Sequence, residues 1–228
     1  MTLKKDEAIE DILTGFERLS NLVLEQLDHL ETIVTSGDIA VAESLLKKIN
    51  SNEKEIDKNE VKLSDHIIQT IVLFHPVASE LRRIMACYRS IISLERIGDL
   101  VLNITNFINR IKSPEVYDKL KEVLHTMTFQ SNKMVKKSLL SILNDDRELA
   151  IWTLKNEGVF DAGNHKLLQK VLKKKSNEES SRKLLWSIIT IKEMMSNIER
   201  IADHATNIAE AAIYSMEGKD IRHHKNPG

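Results

Sequence analysis

Cysteine, proline, glycine and aromatic residues are all scarce in this chain, and each shortage removes a class of protein. The one cysteine among 228 residues, Cys87, excludes an internal disulfide and any Cys-x-x-Cys motif. Cys87 lies in an apolar helical context and is expected to be a buried, inert thiol. Three prolines and seven glycines leave few points at which a helix must stop. An excess of one charge is missing too: 33 basic and 34 acidic residues give a net charge of −1, so no field for a polyanion such as nucleic acid is implied. Long apolar runs are absent. The stretch from His66 to Ser79 is too short to span a bilayer and contains Pro76. The N-terminal MTLKKDEAIEDIL is charged throughout and lacks a signal-peptide core, so a soluble, cytoplasmic chain is expected. There is no glycine-rich phosphate loop and no G-x-S-x-G elbow, and nothing nominates a catalytic nucleophile. The chain is not expected to be an enzyme.

What is present is Leu, Ile, Lys, Glu and Ala in a pattern that favours long helices. Turn signals fall at Ser36-Gly37-Asp38, His75-Pro76, Ser113-Pro114, Asn144-Asp145-Asp146 and 173–177. They cut the chain into six segments of about 30 residues or more. Ile9, Ile12, Leu13, Phe16, Leu19, Leu22, Val23, Leu27 and Leu30 recur at three- and four-residue steps, the period of an amphipathic helix. Residues 77–112 and 178–217 show the same period for longer. Asp38 is placed to cap helix two, and Pro114 suits a first helical turn.

The chain also repeats itself 104 residues apart. LERIGDLVLNI at 94–104 returns as IERIADHATNI at 198–208, and Asp57 recurs as Asp161. A period near half the chain length means two copies of one unit. The expected fold is all-α: two tandem antiparallel three-helix bundles, residues 1–112 and 113–217, with a solvated tail at 218–228.

Much of the repeat is apolar, as a core requires, but Glu95, Asp99 and Asn103 recur as Glu199, Asp203 and Asn207. Positions i and i+4 stack on one helix face about 6 Å apart, so each E-x-x-x-D pair points one way. Like charges at that spacing weaken a helix, and a hard cation bound by carboxylate and amide oxygens would relieve them. Asp57 and Glu60, one turn apart on helix two, are candidates to complete a site in the first half. Their equivalents are Asp161 and Asn164, one charge fewer. The plainer alternative is that the acids pair with Arg82, Arg83, Arg96 and Arg200. His204 beside Asp203 is either packing or an outer-shell helper. A di-metal carboxylate enzyme would want two Glu-x-x-His motifs; there is one, Glu122-x-x-His125, and Asn226 stands where its mate would be.

HPVASELRRIMACYRSIISLERIGDLVLNI (75–104), NIERIADHATNIAEAAIYSMEGKDIRHH (197–224) and NEKEIDKNEVKL (52–63) resemble the signatures of the PhoU family of phosphate-signalling regulators. The resemblance implies two three-helix bundles related by a pseudo-twofold axis. It also implies an adaptor that contacts a phosphate ABC transporter and a sensor histidine kinase, and that damps the phosphate-starvation response when phosphate is plentiful. In some members the E-x-x-x-D surfaces bind multinuclear iron or zinc. Carried over, the ligands are Glu95, Asp99, Glu199 and Asp203, supported by Asp57, Glu60 and Asp161. A homodimer is expected. The regulatory module of a sodium–phosphate cotransporter is similar in sequence and is the alternative, with a di-metal enzyme more remote.

Overall fold

The computed structural model describes residues 2–36, 39–108, 110–159 and 178–221, which form helices and one 3-10 turn without a strand. In order they are α1 (Thr2–Ser36), α2 (Ile39–Phe74), α3 (Ser79–Ile108), α4 (Pro114–Leu143), α5 (Arg147–Lys155), a 3-10 turn (Glu157–Val159) and α6 (Glu178–Glu217). α1, α2 and α3 pack as one trio and α4, α5 and α6 as a second. The trios join along α3 with α6, the broadest helix contact in the molecule, and along α1 with α4. The bundles therefore stand side by side, with the two motif helices against each other in the middle.

The local reasons are plain at each break. His75 and Ala78 have positive φ (47° and 48°) on either side of Pro76 and Val77, so α2 and α3 are joined by a tight reversal. Pro114 opens α4, where its missing N–H costs nothing. Ser113 makes no side-chain cap there. Instead Ser187 Oγ of α6 accepts the N–H groups of Ser113 (2.9 Å) and Lys112 (3.1 Å), tying the link between trios to the last helix. Asp146 caps α5 by accepting from the N–H groups of Glu148 (2.9 Å) and Leu149 (3.1 Å). Gly218, at φ 71°, ends α6 by donating its N–H to Tyr214 O. The expected cap Asp38 and the 173–177 turn lie outside the described residues. The fifth segment departs from expectation: its described helix, α5, runs only nine residues to Lys155 before the 3-10 turn.

The repeat explains the core. Ile97 and Ile201, and Ile104 and Ile208, are fully buried at equivalent places in the two motif helices. Ala202, Ala205, Ala209 and Ala212 keep α6 slim enough for close approach. Each large aliphatic side chain so buried contributes about 1.5–3 kcal/mol. Cys87 is fully buried, and burial pushes its thiol up to about 12, so it is inert.

Candidate functional site

α2 and α3 leave the reversal at His75 antiparallel and side by side, so residues on their outer faces meet in order. Glu53, Asp57 and Glu60 lie on one face of α2 at helical spacing, and Glu95 and Asp99 on the facing side of α3. Glu95 is half-buried, and burial raises its carboxyl above the usual range; Arg96 opposes this, while Asp99, Asp57 and Glu60 push it further up. Four of the expected residues therefore share one electrostatic neighbourhood.

Arg96 occupies the middle of it. Its Nε lies 3.3 Å from Glu95 Oε2 and its Nη1 3.4 Å from Asp99 Oδ2. Of the four arginines considered as partners, Arg82 and Arg83 are turned elsewhere: Arg82 Nε donates to Ser215 O at 3.4 Å, and Arg83 pairs with Asp145 at 3.6 Å. Glu60 accepts from Ser64 Oγ at 2.9 Å. Asn103 is exposed.

Beneath this surface lies a residue that sequence reasoning missed. Glu53 is 6% exposed, and its Oε2 accepts from Gln26 Nε2 at 3.0 Å; the same nitrogen donates to Gly98 O at 3.2 Å. One buried amide thus joins α1 to α2 and α3. Burial lifts the Glu53 carboxyl from 4.5 to about 7; the Gln26 hydrogen bond lowers it, and Asp99 and Asp57 raise it. Glu53 Oε1 is buried with no hydrogen-bond partner. The close fit requires Gly98: a Cβ there would stand 2.7 Å from Glu53 Oε2 and 3.3 Å from Ile56 Cδ1. A signal was present, since Gln26 and Glu53 recur as Gln130 and Glu157 at the same 104-residue offset. The second half does not rebuild the knot, however. Ala202 takes the place of Gly98, and Gln130 Nε2 donates to Asn156 Oδ1 at 3.1 Å instead.

In the second half Glu199 is half-buried and Asp203 and Asn207 are exposed on α6, while Asp161 and Asn164 lie outside the described residues. His204 is half-buried, and its Nδ1 is buried without a hydrogen-bond partner. Burial lowers its pKa, and the charges of Arg200 and Arg96 lower it further, so the ring is neutral at pH 7. Arg96 belongs to the first motif and His204 to the second, so the two motifs meet across the α3–α6 seam. Glu122 is exposed, and His125 Nε2 sits 4.0 Å from Glu31 Oε1, far from either motif in sequence.

Carboxylate and amide oxygens are the right donors for a hard or borderline cation, and the raised Glu53 and Glu95 carboxyls show that Asp57 and Asp99 press on their neighbours. Among the described residues no three His, Cys, Asp or Glu side chains already close on a coordination sphere. Arg96 stands where a cation would neutralise Glu95 and Asp99, and would have to move aside.

The class defined by this geometry is a two-fold repeated helical bundle with an acidic E-x-x-x-D face on each motif helix. The PhoU domain family matches residues 16–108 and 124–212, one match in each trio, and the chain belongs to that family. It is 28% identical over 216 residues to the phosphate-specific transport system accessory protein PhoU homolog of Xylella fastidiosa (strain 9a5c), covering 95% of this chain and 88% of that protein. It is 25% identical over 215 residues to the phosphate-specific transport system accessory protein PhoU of Escherichia coli (strain K12), covering 94% and 86% respectively. The crystal structure of PhoU from Pseudomonas aeruginosa superimposes with a TM-score of 0.80 at 23% identity, covering 94% of this chain and 99% of that one. The Streptococcus pneumoniae phosphate transport system regulatory protein PhoU gives 0.77 at 21% identity, covering 95% and 98%.

Proposed function

We propose that this chain is a non-catalytic accessory protein of phosphate transport, a regulatory adaptor that contacts a phosphate ABC transporter and a sensor histidine kinase. The observation that carries the reading is the family match in both halves, each including its E-x-x-x-D motif. No helix among the described residues is long and apolar enough to cross a membrane, so contact with a transporter would be made from outside the bilayer. The test is reconstitution: the purified chain against the ATP-binding subunit of the phosphate transporter and the cytoplasmic part of the kinase from the same genome. Binding to at least one is expected; binding to neither would end the adaptor reading.

We further propose that iron or zinc occupies the acidic faces. Asp57, Glu60, Glu95 and Asp99 would hold it in the first half, with Asn103 as a neutral helper. Asp161, Glu199 and Asp203 would do so in the second, with Asn207 and His204 beside them. A bound cation would cancel the carboxylate repulsion and clamp α2 to α3. Elemental analysis of protein purified without chelators should find metal in the wild type and less in Glu95→Ala/Asp99→Ala. Equal content in both proteins would leave the acids to Arg96.

A further inference from the structure

Away from the acidic faces, the second trio carries a cationic feature that the first lacks. Lys133 and Lys137 lie one turn apart on α4 and both reach the indole ring of Trp152 on α5, their ammonium groups 5.2 and 4.5 Å from its centroid. Lys136 is exposed beside them, and Lys155 lies three residues on from Trp152 on the same side of α5. Two like charges over one ring repel, and the ring's quadrupole offsets this in part. Among the described residues no carboxylate pairs with any of these four lysines. Of the acids on α5 and its cap, Asp146 caps the helix, and Glu148 lies 3.9 Å from Arg147.

The repeat shows that the bundle does not need this arrangement. At the matching positions the first trio has His29, Thr32, Ile33, Lys48 and Ser51, where Ile33 is an ordinary core residue with no exposed surface. A buried isoleucine in one copy has become a half-buried lysine over tryptophan in the other. The difference gives up apolar burial and gains a positive surface with an aromatic centre.

We infer that the α4–α5 face around Trp152 is a docking surface for an acidic segment of a protein partner, its carboxylates seated between Lys133 and Lys137 and its apolar atoms against the indole. This rests on the adaptor reading. Charge complementarity selects the occupant: four ammonium groups with no carboxylate partner among the described residues attract carboxylates, and Trp152, partly buried and packed against the core, offers a rigid aromatic surface between them. The residues of this surface lie on α4 and α5 and not on the motif helices α3 and α6.

Binding of the full chain to the transporter's ATP-binding subunit and to the kinase's cytoplasmic part is measured for wild type, Lys133→Glu/Lys137→Glu and Lys133→Arg/Lys137→Arg, with folding checked by circular dichroism. The Glu variant should bind one partner about ten-fold or more weaker, and the Arg variant should bind as wild type does, because close interfacial charge pairs contribute on the order of 1.5 kcal/mol or more. Wild type and Glu variant binding alike would overturn the docking surface and leave the adaptor reading intact. If wild type binds neither partner, the adaptor reading falls, and a second measurement judges the surface alone. In a Trp186→Phe background, where Trp152 is the sole indole, decaglutamate peptide should shift the emission, and the Glu variant should abolish the shift. No response to the peptide would overturn the proposal. So would a response confined to inorganic tripolyphosphate or to phosphatidylglycerol vesicles, since either would make the surface a phosphate or lipid site.

Discussion

A carboxyl group 6% exposed among three helices costs free energy whenever it ionises, and Glu53 is such a group. Its folded pKa of about 7 lies above the ordinary 4.5, so the folded state holds the proton more tightly than the unfolded chain does. Stability should therefore fall as pH rises from about 4.5 to about 7, and then level off. Glu53→Gln keeps the shape without the charge. In chelator-treated protein it should flatten this slope and exceed the wild type above pH 7 by on the order of 1–3 kcal/mol in urea unfolding. An unchanged slope would mean that Glu53 ionises without penalty. The same knot sets a second expectation. Gly98→Ala should destabilise the wild type because its Cβ meets Glu53 Oε2, yet stabilise a Glu53→Ala background by up to about 1 kcal/mol, the usual helix preference for alanine. Additive effects in that double-mutant cycle would contradict the close approach. None of this was legible residue by residue. Glu53 is flanked by Lys54, Glu55 and Asp57 and reads as one more solvated acid, and only the packing of α1 against both α2 and α3 buries it.

Single elements were more legible, because their boundaries are local chemistry. Pro114 marks a helix start in the sequence and in the structure, and the Asn144-Asp145-Asp146 turn signal falls at the break where Asp146 caps α5. Asp146→Ala should cost about 1 kcal/mol of stability by removing two accepted N–H bonds, measured by thermal unfolding. The motif helices were legible as acidic stripes, while the role of their arginines was not, since spacing alone offers Arg82, Arg83 and Arg96 as equal partners. Tertiary placement sends Arg82 and Arg83 to Ser215 and Asp145 and leaves Arg96 over Glu95 and Asp99. Arg96→Met should accordingly leave the acidic face less compensated and raise its affinity for divalent cations several-fold. It should also raise the His204 pKa toward the ordinary imidazole value, because one of the two charges depressing it is gone. Titration of the His204 ring resonance by NMR checks the second effect; no change would place Arg96 away from the seam.

At the scale of the molecule, the 104-residue repeat revealed two similar trios, because recurring apolar residues such as Ile97/Ile201 and Ile104/Ile208 are core in both copies. It could not reveal that the motif helices pack against each other, since contact between copies has no periodic signature. The repeat also hid asymmetry at the places that bear on function. Gly98 against Ala202 decides which half can bury a carboxyl, and Ile33 against Lys137 decides which half presents a basic face. A fold made of two copies whose chemistry has diverged suits a protein that works by holding others, and that is the central claim. The direct measurement is the expression of a phosphate-starvation reporter in phosphate-rich medium, in the source organism with and without this gene. Deletion should leave the reporter switched on, and supplying the chain in trans should switch it off. A reporter that stays off after deletion would contradict the regulatory adaptor while leaving the fold as described.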